Sequence, residues 1–246
     1  MRCHARENGQ VRCEVRCEKL GSGPEAAGRA ASDLLAVYAG LAERRAHLLD
    51  DLLSGAPLLQ WERLPADDAV DAAGCYQWFY HCHAPEDRPA GPEHGHIHLF
   101  ARQAFWKNLP VTSDDRGFRK LYGNPNGGAS TRHLIAIGID PKGLPISIFT
   151  VNSWVTGDLM LGADATARAL AEMELDTGHP DIDRMIVSLA HVCGEDIRLL
   201  LAQRDKTLKT RDPGDVLEDR TMEILSETVI DIDEHIARAL RPSINV

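Results

Sequence analysis

Between residues 24 and 53 the large apolar side chains fall at Leu34, Tyr38, Leu41, Leu48 and Leu52. That spacing lays them along one face of a long helix, opened by Pro24 and closed by Gly55-Ala-Pro57. Further on the period changes. Residues 75–82 are aromatic and apolar, 84–92 hold three prolines and a glycine, and 96–101 alternate, which predicts a hairpin. A second hairpin is predicted from strand-like runs at 131–139 and 144–154, joined by Asp140-Pro-Lys-Gly143, with proline and glycine where a type I turn prefers them. From Ala163 the period is helical to the end. A short helix precedes one over 181–204, with Ile182, Ile186, Leu189, Cys193, Ile197 and Leu200 as its buried stripe. A last helix is expected from Asp212-Pro213, with Leu217, Ile224, Leu225, Ile232 and Ile236 on its apolar side. Residues 58–71 read as an irregular crossing, 102–119 as a partly buried excursion and 122–130 as a loop.

Strands clustered centrally and helices flanking them define an α+β class: an antiparallel sheet built from two hairpins, packed by the long N-terminal helix and the C-terminal helices. One domain is expected over 24–246, strand-rich at about 73–156 and helical over 163–241. Residues 1–23 are basic, poor in large apolar residues and end in a Gly-Ser-Gly-Pro linker. They read as a disordered leader or a misassigned start.

The first hairpin also carries the chemistry. Five of the eleven histidines lie in it: His81, His83, His94, His96 and His98. Side chains two apart in a strand share a face, so His81 pairs with His83, and His94 aligns with His96 and His98. Opposed residues of an antiparallel pair have a constant sum. An odd sum, with His81 facing His96, gathers all five imidazoles; an even sum scatters them. Cross-strand neighbours sit roughly 4.5–5.5 Å apart at Cβ, close enough for several imidazole nitrogens to converge on one ion. Neutral imidazole is the commonest metal ligand, and its second nitrogen needs an orienting partner such as a carboxylate.

These residues point to a metal-binding protein, with a small-molecule metalloenzyme favoured. His81, His83, His96 and His98 are the expected ligands of one divalent transition metal, zinc, iron, copper or nickel. Glu93 and His94 are the candidate catalytic or orienting groups. His133, Thr150, Asn152 and Trp154 lie where the isoleucine face of the second hairpin turns polar, and are the candidate substrate pocket. His191 and Glu195, an i, i+4 pair on the polar side of the 181–204 helix, are candidates to complete it. A non-catalytic metal carrier or sensor would use the same ligands with a closed coordination sphere. A metal-free binding module would place the imidazoles in hydrogen-bonded pairs.

Composition narrows the partners. The 246 residues are 43% apolar and carry a net charge of −10, which opposes nucleic-acid binding. No apolar run reaches the length of a membrane span, so a cytoplasmic protein with a small-molecule ligand is expected. The six cysteines do not make a disulfide scaffold. Cys75, Cys82 and Cys193 read as small buried hydrophobes, Cys82 facing away from His81 and His83.

His-x-His followed by an acidic residue resembles the start of a cupin metal motif, but Glu86 follows His83 too soon and no second motif lies downstream. The strings YHCH, EHGHIHLF, TRHLIAIGID, IFTVNSWVTGD and DTGHPDIDRMIVSLAHVCGEDIRLLLAQRD together resemble an uncharacterised bacterial domain family of unknown function, over roughly residues 58–208. The resemblance implies a shared domain and supplies no mechanism.

Overall fold

The computed structural model describes residues 24–53, 59–83, 93–110, 112–122 and 130–241. In chain order the elements are α1 (Pro24–Arg44), α2 (Asp50–Leu53), β1 (Leu64–Val70), β2 (Tyr76–His81), β3 (Gly95–Arg102), α3 (Gln103–Trp106), α4 (Ser113–Tyr122), β4 (Thr131–Ile139) and β5 (Pro145–Val151). There follow α5 (Ser153–Thr156), β6 (Leu159–Met160), α6 (Ala163–Ala171), α7 (Pro180–Val192), α8 (Gly194–Leu208), α9 (Pro213–Glu218), β7 (Ile224–Val229) and α10 (Ile232–Ala239). The class is α+β, with the long N-terminal helix in place.

The sheet runs β1-β2-β3-β4-β5-β7, antiparallel throughout, and β6 adds a short parallel pairing to β4 at Arg132 and His133. Tyr76, Trp78 and Tyr80 of β2 point to one face, as do Ile97 and Leu99 of β3, Ile135 and Ile137 of β4, and Ile148 of β5. They pack with Leu34 and Val37 of α1, Leu170 of α6, Ile182, Ile186 and Leu189 of α7, and Ile197 and Leu201 of α8 in one apolar cluster. Burial of that surface is the main stabilising term. The indole N–H of fully buried Trp78 donates to the Asp183 carboxylate at 3.0 Å, which ties the sheet to α7. The same carboxylate accepts the amide and hydroxyl of Thr177 at 2.7 and 2.8 Å, so a buried acid is fully bonded across three segments.

Several predicted boundaries are corrected. The first helix stops at Arg44, where Arg45 turns to φ 53, and residues 50–53 form a separate turn of helix. The helix predicted over 181–204 is two, parted at Cys193 (φ −97, ψ 16), with Gly194 opening α8. Residues 58–71 include a strand, β1, whose period is hidden because its register shifts between Leu64 and Ala69 and Asp68 sits at φ 55. The last predicted helix is α9, a strand and α10. Ile224 and Leu225 read as a helical stripe, yet they belong to β7, which pairs β5 from Ser147↔Val229 to Val151↔Ile224. In the second hairpin Ile139 faces Pro145 and Gly138 faces Ser147, with a register shift between them. The Asp140 carboxylate accepts the amides of Lys142 and Leu144, and Gly143 takes the left-handed conformation at φ 83. The expected loop at 122–130 lies, from 123 to 129, outside the described residues, as do 1–23.

Asp183→Ala strips acceptors from Trp78 and Thr177 inside the packed layer. It is expected to lower unfolding free energy by about 2–4 kcal/mol, read from urea denaturation; a loss within error would show that the Trp78–Asp183 contact does not join sheet to helices.

Candidate metal centre

β2 and β3 pair with an odd sum, so His81 lies directly opposite His96. On β3 the alternation puts His98 beside His96 on the face turned away from the helices. Beyond the end of β2, Cys82 turns into the core and His83 returns to the histidine side. The ring centroids of His81 lie 4.4 Å from His96, 4.7 Å from His83 and 5.1 Å from His98. One nitrogen from each of His81, His83 and His96 lies within 4.8 Å of the other two.

The contact with Glu93 sets one tautomer. Glu93 approaches His96 Nδ1 at 2.7 Å, and a carboxylate can only accept, so Nδ1 carries the proton and neutral His96 presents an Nε2 lone pair. That Nε2 meets His81 Nε2 at 2.7 Å, and His98 Nε2 meets the same atom at 3.2 Å. A neutral imidazole has one N–H to offer. A cation in place of that single hydrogen would be met by a lone pair from each ring.

His133 joins this group through a fault in the strand. The β3–β4 register shifts between Leu99 and Phe100, so Leu99 faces Ile135 while Phe100 faces His133. Leu134 and Ile135 both enter the core, and His133 is carried to the other face, where its Nε2 lies 3.1 Å from His98 Nδ1. The expectation that His133 shares a face with Ile135, Ile137 and Ile139 is therefore corrected. Burial lowers the pKa of His98 well below 6.5, with neighbouring His96 and His133 adding to the effect. Burial, then the Arg204 guanidinium, lowers His133 from 6.5 to about 3. Both rings are thus neutral, the form that can donate a lone pair.

The walls are apolar. Phe79 lies 5.6 Å from His81 and 5.1 Å from His98 between ring centroids, and Phe149 lies 5.1 Å from His96. Trp61 sets its ring edge-on to His83 at 4.1 Å. Gly138 faces His96 across the ladder, and a Cβ there would come within 2.8 Å of a Glu93 carboxylate oxygen and 2.3 Å of Ser147 Oγ. With glycine there, Glu93 and Ser147 keep their positions, and any larger residue would require these two side chains to shift.

Other predicted site residues stand elsewhere. His94 precedes β3, its amide bonds Ile139, and its Nδ1 meets the Tyr80 hydroxyl at 2.7 Å on the core side, so it does not align with His96 and His98. Thr150, next to Phe149, faces the opposite way and bonds Ser226 at 2.7 Å. Asn152 is fully buried, caps α5 and donates to the carbonyls of Val216 and Met222. The Trp154 indole also donates to Met222. These two hold the α9–β7 connection, and the pocket expected from His133, Thr150, Asn152 and Trp154 is divided between the two faces. His191 and Glu195 line a cavity of about 520 Å³ within the helix layer, together with Ala27, Leu170 and Arg238, none of them a member of the histidine group. Trp61, Phe79, Phe149 and Gly138 were not singled out from sequence. Only the alternation of Phe79 with His81 signalled any of them.

An α+β protein with a histidine-lined sheet face is thus the class that fold and site define. The chain matches, over residues 28–230, the model of a family described as a domain of unknown function (DUF6969), and it belongs to that family. No curated protein and no solved structure matches it.

The neutral histidines set a pH dependence. Unfolded, His98 and His133 take up protons near pH 6.5. Folded, they resist until far lower pH, so the unfolded chain binds more protons and stability falls as pH drops below about 6.5. The loss is expected on the order of 1 kcal/mol per pH unit per histidine, levelling off above about pH 7.5. Urea midpoints from pH 8 to 5 check it, and a flat profile would contradict a neutral cluster.

Proposed function

We propose that the histidine face holds one divalent transition metal and that the protein is a small-molecule metalloenzyme. The convergence of His81, His83 and His96 nitrogens within 4.8 Å carries this proposal. Nitrogen ligands at about 2.0–2.1 Å from a tetrahedral ion stand about 3.3 Å apart. The 2.7 Å contact and the 4.8 Å limit bracket that value, so small side-chain rotations suffice. Glu93 would hold His96 by its Nδ1–H and raise its basicity, the part a carboxylate takes behind a ligating histidine. His98, with Nε2 toward His81, is the candidate fourth nitrogen, steadied from behind by His133. An all-nitrogen set suits zinc, iron, copper or nickel.

Enzymatic use is favoured over storage because His81, His83 and His96 are enough to hold the ion, so that with His98 outside the sphere water or substrate takes the fourth position, whereas His98 as a fourth ligand would close it; the rim residue Trp61 is 58% exposed. When bound, the ion would supply Lewis acidity to a substrate oxygen or water. The 2.7 Å separation of His81 and His96 also suits a hydrogen bond, and this favours one other function, a metal-free binding module. Among the described residues no helix is long and apolar enough to cross a membrane. A cytoplasmic protein with a small-molecule ligand, and no nucleic-acid partner, completes the proposal; the net charge of −10 supports the last point.

Elemental analysis by plasma mass spectrometry of the native chain and a His81→Ala, His96→Ala double variant tests it. Near-stoichiometric metal in the native chain, lost in a variant that still melts cooperatively, is expected, and Glu93→Gln should weaken metal affinity roughly 10–100-fold. Native protein that stays folded and metal-free after incubation with each of the four ions would leave the hydrogen-bonded module in its place.

A further inference from the structure

Residues 59–63 lead into β1 and pass along the rim of the histidine site. The Trp61 amide donates to the Cys82 carbonyl at 2.9 Å, which pins this turn between His81 and His83. Trp61 takes φ 66, a conformation disfavoured for a large side chain. The result is an indole standing at the rim, edge-on to His83 and 6.4 Å from His81 between centroids. Two residues on, the Arg63 guanidinium lies over the Phe79 ring, 4.3 Å from its centroid. Phe79 in turn touches His81 and His98. Arg63 is 52% exposed, and its nearest carboxylate, Asp68, stands 4.0 Å away. Neither the guanidinium nor the Trp61 indole N–H makes a hydrogen bond among the described residues. The ion pair with Asp68 is too long for a hydrogen bond, and with the field of Asp158 it shares the Arg63 charge, but the N–H groups of both side chains remain available beside the cluster.

A half-exposed guanidinium over an aromatic ring, with no hydrogen bond made by its fork, can take a carboxylate in bidentate geometry. An exposed indole beside it offers a face or edge to a flat apolar group. We infer that the Trp61–Arg63 turn is the substrate-recognition element of the site, and that it takes a small carboxylate with a planar apolar body. The carboxylate binds Arg63, the body lies against Trp61, and the reacting group is directed toward the histidines. This rests on the enzymatic reading proposed above and names its substrate class; Arg63 and Trp61 are its substrate-binding residues.

The test titrates benzoate, phenylacetate and cinnamate, with the matching amides, into native protein of measured metal content. Calorimetry and tryptophan fluorescence are the readouts, and Arg63→Gln, Arg63→Lys and Trp61→Ala are compared. At least one acid should bind and its amide bind far more weakly. Arg63→Gln should weaken the acid by about tenfold or more, with Arg63→Lys between them because an ammonium keeps the charge and loses the fork. Trp61→Ala should weaken it and remove the fluorescence change. Acids and amides binding alike, no acid binding, or an Arg63→Gln variant that binds as the native chain does would each overturn the inference. The last result with metal present would mean that the ion alone captures carboxylates, and the metal proposal would stand. Arg63-dependent binding by a chain that holds no metal would do the reverse, sustaining the recognition element while the metal proposal fails.

Discussion

Opposing His81 to His96 across β2 and β3 places two imidazoles where the ladder brings side chains nearest, and the second-residue repeat then adds His83 and His98 on the same face. A slip of one residue would send His96 and His98 into the helix-packed core and Ile97 and Leu99 to the other side. The register is therefore held by the apolar residues between the histidines: Ile97, Leu99, Trp78 and Tyr80 are all essentially fully buried against the helices. Chemistry on one face is fixed in place by hydrophobic burial on the other. The Trp78–Asp183 bond adds direction to that burial, since it anchors the strand bearing His81 to one helix.

Neutrality is the second condition on the cluster. Imidazoles this close repel once protonated, and the burial of His98 and His133 disfavours the charged form further. Phe79, Phe100 and Phe149 exclude solvent around them, which disfavours the charged forms and leaves lone pairs available. Glu93 is the countervailing element: it sets one tautomer, at His96, from which the facing lone pair follows. A Cβ at Gly138 would press on that carboxylate, so the absence of a side chain on β4 also bears on how Glu93 meets His96.

Much of this could be read from the chain. A proline-rich turn between two alternating runs is enough for the hairpin, and the parity of His81 and His96 says that an odd-sum register gathers the rings; the choice between odd and even sums is settled only by the pairing of His81 with His96 in the sheet. Periodicity also found α1, the second hairpin and the α+β class. What escaped it was irregular. β1 hides behind a bulge and an aspartate at positive φ, and β7 behind two adjacent apolar residues that fit a helical stripe equally well. A strict period of two puts His133 on the isoleucine face, since it has no way to register the shift at Leu99 and Phe100. His94 was grouped with its neighbours because alternation was extended one residue past the start of the strand. Thr150, Asn152 and Trp154 are polar for the reason that buried backbone carbonyls and hydroxyls need partners, a structural demand that looks the same in sequence as a binding site.

The two kinds of irregularity have different physical meanings. The hidden strands sit at the sheet's edges, where pairing is needed on one side only and bulges and charges are tolerated. The β3–β4 shift lies in the middle of the sheet, where a bulge interrupts a buried ladder and leaves a residue unpaired. Its local effect is to bring His133 behind His98, converting an isoleucine-faced strand into one that contributes a fifth ring to the group formed by His81, His83, His96 and His98. The turn at Trp61 has the same character, a backbone departure that carries a side chain to the histidines. Regular alternation assembles four imidazoles, and the places where it fails supply what surrounds them. In this fold, departures from the period near the cluster are therefore the positions that complete the surroundings of the histidines.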